Sequence, residues 1–519
     1  MRRASSFRSV LLVSGLTVGL LWLAMFYGGG LWPLLAVACV PFFIYIYRAD
    51  RKYALSCGLL TGLGHFLLQL YWIVFVLGQY GGLPLFLSVP ALVLLALYMA
   101  GYFLLFVLIS RLFIRCFSQN VSLLLLPMLW AGLDHLRSFL FSGFPWMDIG
   151  YGLAEHPLLY QSADIWGIGG ITFLVILLNT FFALCLEKGM NWSRRVKLAV
   201  PVCLILLATG LYSGWRWQNM ESRVSSAEFI GVGIVQGNVD QGQKWSAARL
   251  GRTVEDYTQQ SRKVMVAQSG LRPDLLVWPE TSMPFVPVEH PFLAPIEKML
   301  QAEQVMLLAG APWVEEDGRA SEKPRYFNSA VLFDQNGVVV DRTSKSHLVP
   351  FGEYVPLKKY LPFIAPLVEA VGDFSRGEIR NPPACKTARI GVLICFESIF
   401  GNISRKWVNA GANLLVNITN DAWYGNSVAP YQTLAMTRLR AVETRRSVVR
   451  SANTGFSCFI DPLGRVLTLS PLFKNWEAAE RIVLMEERTV YVRGGYLFGT
   501  ACLLLSALAL LVSGILRKS

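Results

Sequence analysis

Histidine is scarce in this sequence, and cysteine shows no pairing pattern. Of five histidines in 519 residues, only His290 and His347 fall in the one stretch of chain that is not markedly apolar. The nine cysteines are odd in number. Cys39, Cys57, Cys116, Cys185, Cys203 and Cys502 lie in or beside apolar runs, where a buried thiol packs as a small hydrophobe. The other three, Cys385, Cys395 and Cys458, match neither zinc nor CxxC spacing. No disulfide framework, metal centre or cofactor is expected. Also missing are internal repeats, low-complexity tracts and any basic stripe or nucleic-acid recognition motif. The net charge of +13 therefore does not point to nucleic acid.

What is abundant is apolar. The apolar fraction is 54%, against about 45–50% in soluble domains. The excess sits in residues 9–214 and 495–516, while 216–492 reads as ordinary mixed sequence. A spanning helix needs about 20 apolar residues. Spans are expected near 9–27, 31–47, 56–78, 84–110, 121–139, 166–186, 197–214 and 495–516.

The basic residues fall in every second loop. Arg2, Arg3 and Arg8 precede the first span; Arg48, Arg51 and Lys52 follow the second. Arg111 and Arg115 follow the fourth. Lys188, Arg194, Arg195 and Lys197 separate the sixth and seventh, and Arg517 and Lys518 follow the eighth. The positive-inside rule then places both termini in the cytoplasm and 216–492 on the other side. Treating the first span as a cleaved signal peptide would invert this alternation, so it is kept as a helix.

Residues 1–215 are thus expected to hold seven spans, 216–228 a polar link, 229–487 a folded domain and 488–519 the last span. Within the domain, β-rich runs at 229–235, 274–279, 305–309, 389–394 and 413–418 alternate with helix-like stretches at 246–269, 293–303, 398–410 and 428–446. Gln335-Asn336-Gly337 reads as a hairpin turn. The alternation implies an α/β domain with a largely buried sheet.

Three polar residues follow strands, where open α/β sheets place their sites. Glu280 ends LLVWPE, Cys395 ends IGVLIC, and Lys345 follows a hairpin strand at 338–342. Singly, each has an ordinary structural explanation. Together they make a chemical set. A thiol at a sharp strand-to-helix turn is exposed beside backbone N–H groups. A nearby ammonium lowers its pKa, and a carboxylate can take its proton. A Cys395–His347 pair is the weaker alternative.

LVWPET, KSHLVPFGEYVP and GVLICFES, in that order, resemble the Glu-Lys-Cys signature of the carbon–nitrogen hydrolase (nitrilase) superfamily. NDAWYG at 420–425 and the following RLRAVETRRSVVRSANTG fit the same pattern. With flanking spans, GFPW at 143–146 and VQGNVDQGQKW at 235–245, nearly the whole chain resembles that superfamily's membrane-bound apolipoprotein N-acyltransferase family.

The resemblance implies an αββα sandwich beside the helical bundle, in the bacterial inner membrane with the domain extracytoplasmic. It implies acyl transfer from a phospholipid such as phosphatidylethanolamine, through a cysteine thioester, to the N-terminal amine of a diacylated apolipoprotein. Cys395 would be the nucleophile, Glu280 the base and Lys345 the stabiliser of oxyanion and thiolate. Glu353 would support the lysine, Glu397 would lie near the nucleophile, and Trp245 would be an aromatic on a loop over the site. Phe396 stands where many relatives have Tyr, and its backbone N–H would still serve an oxyanion hole.

Apolar loop segments 284–286 and 361–367 are candidates for lipid contact or domain core. Asp134 and His135, at membrane depth, are candidates for function or helix–helix bonding. Two rival readings are a membrane-tethered amidase acting on a soluble substrate, and a transporter or receptor with an inert domain. Eight spans weigh against the first, and the intact triad weighs against the second.

Overall fold

The computed structural model describes residues 6–25, 30–240, 247–266, 271–316, 324–354 and 374–516. Trp245 and the segment 361–367 lie outside these. The chain forms two compact units. One holds Met1–Val74, Pro84–Asn219 and Arg493–Ser519; the other holds Phe75–Leu83 and Met220–Val492.

The first unit is helical. Among the described residues, six helices are long and apolar enough to cross a membrane: Phe7–Ala24, Arg51–Leu70, Leu85–Cys116, Ala163–Cys185, Trp192–Ser226 and Gly495–Leu516. Two expected spans differ from these. The run at 31–47 is broken into a 3-10 turn, Trp32–Ala36, and the short helix Val40–Arg48. Asn179 bridges that break, accepting from Cys39 N and donating to the Leu35 carbonyl. The helix Gln119–Arg137 is 19 residues long but carries Asp134, His135 and Arg137, which lower its apolarity. Those polar groups are paired inside the unit. Asp134 lies 3.1 Å from Arg137, which also bonds Asp148, and His135 is 2.9 Å from the Thr500 hydroxyl.

Small residues let helices approach closely, as membrane helices require. A Cβ on Gly62 would sit 2.9 Å from Ala100 Cα on the facing helix. The segment read as a polar link is helical as far as Ser226, continuing the helix from Trp192.

Among the described residues, the second unit is built on two six-stranded sheets. The strands are β1 (Phe229–Gln236), β2 (Leu275–Val277), β3 (Met306–Glu315), β4 (Arg325–Phe333), β5 (Val339–Ser344), β6 (Ala384–Cys385), β7 (Ala388–Ile394), β8 (Leu414–Thr419), β9 (Ser447–Ala452), β10 (Cys458–Ile460), β11 (Val466–Leu469) and β12 (Trp476–Val483). The orders are β12-β1-β2-β3-β4-β5 and β11-β10-β9-β8-β7-β6.

Ser451 of β9 donates to the Val235 and Val277 carbonyls of the other sheet, so the sheets pack face to face. Helices Ala247–Val266 and Leu293–Glu303 cover the first sheet through Val254, Tyr257, Ile296 and Leu300. Gly401–Asn409 and Ala429–Thr444 pack on the second. This is the αββα sandwich. The parallel core strands β2, β7 and β8 are almost wholly buried, which is why they read as mostly apolar runs. The expected hairpin turn is present, with Gly337 at φ 85°.

Candidate active site

Glu280, Lys345 and Cys395 come from three separate strand ends, and folding brings them together in the second unit. β2 stops at Trp278-Pro279, and the chain turns sharply so that Thr281 adopts φ 51°. Gly310 of β3 makes room for that turn. A Cβ there would lie 2.4 Å from Thr281 N and 2.6 Å from Glu280 Cα. The Glu280 carboxylate is buried. One oxygen accepts from Asn328 Nδ2 at 2.7 Å and the other from the backbone N–H of Asn420 at 2.9 Å.

Lys345 follows β5 and is 1% exposed. Its backbone N–H donates to the Asn328 carbonyl, and its own carbonyl accepts from Gly377 N. The ammonium lies 2.9 Å from Glu353 Oε1 and 4.0 Å from Glu280 Oε1. Burial pulls its pKa down, but Glu353, then Cys395 and Glu280, outweigh burial and hold it above the ordinary lysine value. Lys345 is therefore a fixed cation. Glu353 is fixed in turn by Asn328 Nδ2 at 3.0 Å and Val349 N at 2.9 Å.

Cys395 directly follows β7 and has φ 54°, a left-handed backbone that a non-glycine residue adopts only where its surroundings impose it. Burial, then the Glu280 carboxylate, push its thiol up to about 12, against the opposing pull of Lys345. The resting sulfur is a neutral thiol that needs a base. Transfer of its proton to Glu280 relocates one negative charge within the cluster and adds none, so a buried site can accommodate it.

Glu397 joins the two halves of the set. One oxygen accepts from Ser346 N at 2.7 Å, Ser346 Oγ at 2.6 Å and His347 N at 3.0 Å, and the other accepts from Ile394 N at 2.8 Å. It ties the segment after Lys345 to the residue before Cys395. Phe396 is buried, its ring 5.2 Å from Phe400. His347 packs on Phe400 at 4.1 Å. Burial, then Arg376 and Lys345, depress the imidazole to about 4, so it is neutral near pH 7 and suited to packing.

Several contributors have no obvious mark in the sequence. Asn328 bridges Glu280 and Glu353, and its only signal is an amide inside the apolar strand FNSAVLF. Asn420 acts through its backbone. Tyr80, from the distant 75–83 segment, donates to the Ala422 carbonyl at 3.1 Å and lies 5.0 Å from Trp423.

Comparison with known proteins gives the family of the chain. Residues 18–181 match the model for the apolipoprotein N-acyltransferase N-terminal domain, and 231–477 match that for carbon-nitrogen hydrolase. An apolipoprotein N-acyltransferase of Geobacter metallireducens is 39% identical over 93% of this chain and 91% of its own length. The chain belongs to the apolipoprotein N-acyltransferase family. Two further members are similar over most of their length. The protein of Pasteurella multocida is 30% identical over 90% of this chain and 88% of its own, and that of Brucella melitensis 35% over 80% and 76%. Family membership thus spans both units, the helical one as well as the sandwich.

Proposed function

We propose that this chain transfers a fatty acyl group from a phospholipid, phosphatidylethanolamine, through a thioester on Cys395 to the N-terminal amine of S-diacylglyceryl-cysteine lipoproteins. The observation that carries the reading is the convergence of a buried carboxylate, a fixed ammonium and a thiol at a strained strand end.

In the first half-reaction Glu280 takes the thiol proton and the sulfur attacks the ester carbonyl. Lys345 and the backbone N–H of Phe396 receive the developing oxyanion. The ester C–O bond breaks, and the lysophospholipid oxygen leaves with the proton from Glu280. In the second, the free amine attacks the thioester, Glu280 accepts its proton, and the protonated sulfur departs. Glu353 and Asn328 hold Lys345 and Glu280 in place, and Glu397 holds the nucleophile turn.

The order is ping-pong. Phospholipid alone should give a Cys395 adduct one acyl group heavier, seen by intact mass. A diacylated lipopeptide with a free N-terminal amine should discharge it to an amide, and an N-acetylated one should not. Adduct formation that requires acceptor would make the order sequential. Discharge by water as fast as by amine would favour a hydrolase.

Residues 229–487 form the catalytic domain in this reading and lie on the extracytoplasmic face of a bacterial inner membrane. The alternating basic loops support that orientation. A reporter active only in the cytoplasm should be silent when fused at position 320 and active at position 190. The reverse pattern would overturn the orientation.

A further inference from the structure

Arg450 sits in the middle of β9, opposite Asn417 of β8, and is 1% exposed. A guanidinium inside a sheet is a poor means of stabilising a fold, because well-packed apolar residues often do as well. Its bonds run instead toward the candidate site. Nη1 donates to Asn417 Oδ1 and Nη2 to Asp421 Oδ2 at 2.8 Å. The rest of the fork is anchored by the Phe456 carbonyl at 3.1 Å, Thr433 Oγ1 at 3.2 Å and Thr437 Oγ1 at 3.4 Å.

Each of the first two partners reaches a reacting group. With its oxygen held by Arg450, the Asn417 amide has one orientation. Its Nδ2 donates to the Leu393 carbonyl at 2.8 Å and to the Cys395 carbonyl at 3.4 Å. These carbonyls flank the turn where Cys395 takes φ 54°. Asp421 accepts from Thr419 Oγ1 at 2.9 Å, which closes the loop around Asn420. The Asn420 N–H points at Glu280 Oε2, and its side-chain oxygen accepts from Asn453 at 3.0 Å. Gly455 packs directly against the Asp421 carboxylate: a Cβ there would lie 2.0 Å from Asp421 Oδ2.

We infer that Arg450 is a positioning residue for acyl transfer, which holds the Cys395 turn through Asn417 and the Glu280-facing loop through Asp421. It touches neither substrate nor sulfur. It sets the register between base and nucleophile across two strand ends. The inference rests on the reading of Cys395 as nucleophile, and Cys395→Ala tests that separately.

The experiment uses the full-length protein in detergent with phosphatidylethanolamine. It follows Cys395 acylation by intact mass and, independently of lipid, Cys395 alkylation by iodoacetamide against pH. Arg450→Lys keeps the charge and loses the fork. It should slow acylation about 100-fold, the scale of a misplacement of about 1 Å, with the KM for phospholipid unchanged; loss of the buried fork also lowers the thermal unfolding midpoint, so rates are compared well below it. Asn417→Ala should lose a similar amount, and the double variant no more than either, since the two act as one unit. In Asp421→Asn a negative charge that raises the thiol is removed. Alkylation should therefore move to lower pH while acylation still falls, a split that damage to packing alone would not produce.

Wild-type acylation in Arg450→Lys or Asn417→Ala overturns the inference. So do losses that multiply in the double variant, or an unmoved alkylation profile in Asp421→Asn. If Arg450→Lys does not accumulate, Asn417→Ala, which keeps the Arg450–Asp421 pair and removes the relay to the Leu393 and Cys395 carbonyls, decides.

Discussion

Cys395→Ala and Cys395→Ser should both abolish the acyl-enzyme and reduce lipopeptide acylation to background. Loss of the nucleophile in a covalent site typically costs on the order of 10⁶ in kcat. Serine offers no rescue. The resting sulfur is already pushed up to about 12 by burial and Glu280, and an alcohol in the same place is harder still to ionise. Cys385→Ala and Cys458→Ala are the controls. Cys385 is buried, with its sulfur 3.7 Å from the Asp274 carbonyl, and Cys458 lies inside β10 with no exposure. Both should stay within a few-fold of the parent. Acylation at the parent rate in Cys395→Ala would end the mechanism.

Glu280→Gln and Lys345→Met should each lose acylation while moving the thiol in opposite directions. A positioned base contributes about 10²–10⁴, and one oxyanion donor about 10²–10³. The signs follow from the charges around the sulfur. Glu280 raises the thiol and Lys345 lowers it. With Gln at 280, alkylation of Cys395 should shift to lower pH, although no base remains to deliver the thiolate during attack. With Met at 345, alkylation should shift to higher pH, and the buried Glu353 loses its partner at 2.9 Å. Lys345→Met is therefore read beside a thermal midpoint. Parent thioester levels in either variant would exclude the assigned roles, and a common direction of shift would mean the cluster is not coupled as its distances imply.

The candidacy of Lys345 is legible in sequence only as one of three motifs, and the strength of its setting is not. A lone lysine after a hairpin strand is ordinarily solvated. Here Asn328 pairs Glu280 with Glu353 on either side of it, and that bridge depends on β4 lying between β3 and β5. Strand pairing of that kind has no local signature. Glu397 is similar. Its position two residues after the cysteine is visible, but its four bonds reach back to residues 346 and 347 as well as to Ile394.

The helical unit reverses the balance. Its apolar runs are readable because a bilayer demands length and composition. Yet the break at 32–48 and the helix of Asp134 and Arg137 depend on partners such as Asn179 and Asp148.

The sequence by itself determined the division into apolar helices and one mixed domain, the buried parallel strands, and the order Glu280, Lys345, Cys395. Each of these is written in local composition, which a run of residues carries without reference to distant ones. Tertiary structure alone decided that the three strand ends meet, that a neutral thiol rests beside a fixed ammonium, and that Arg450 reaches the Cys395 turn through Asn417. Those outcomes are set by burial, by distances between residues far apart in the chain, and by the orientation of polar groups. None of these exists until the sheets have paired.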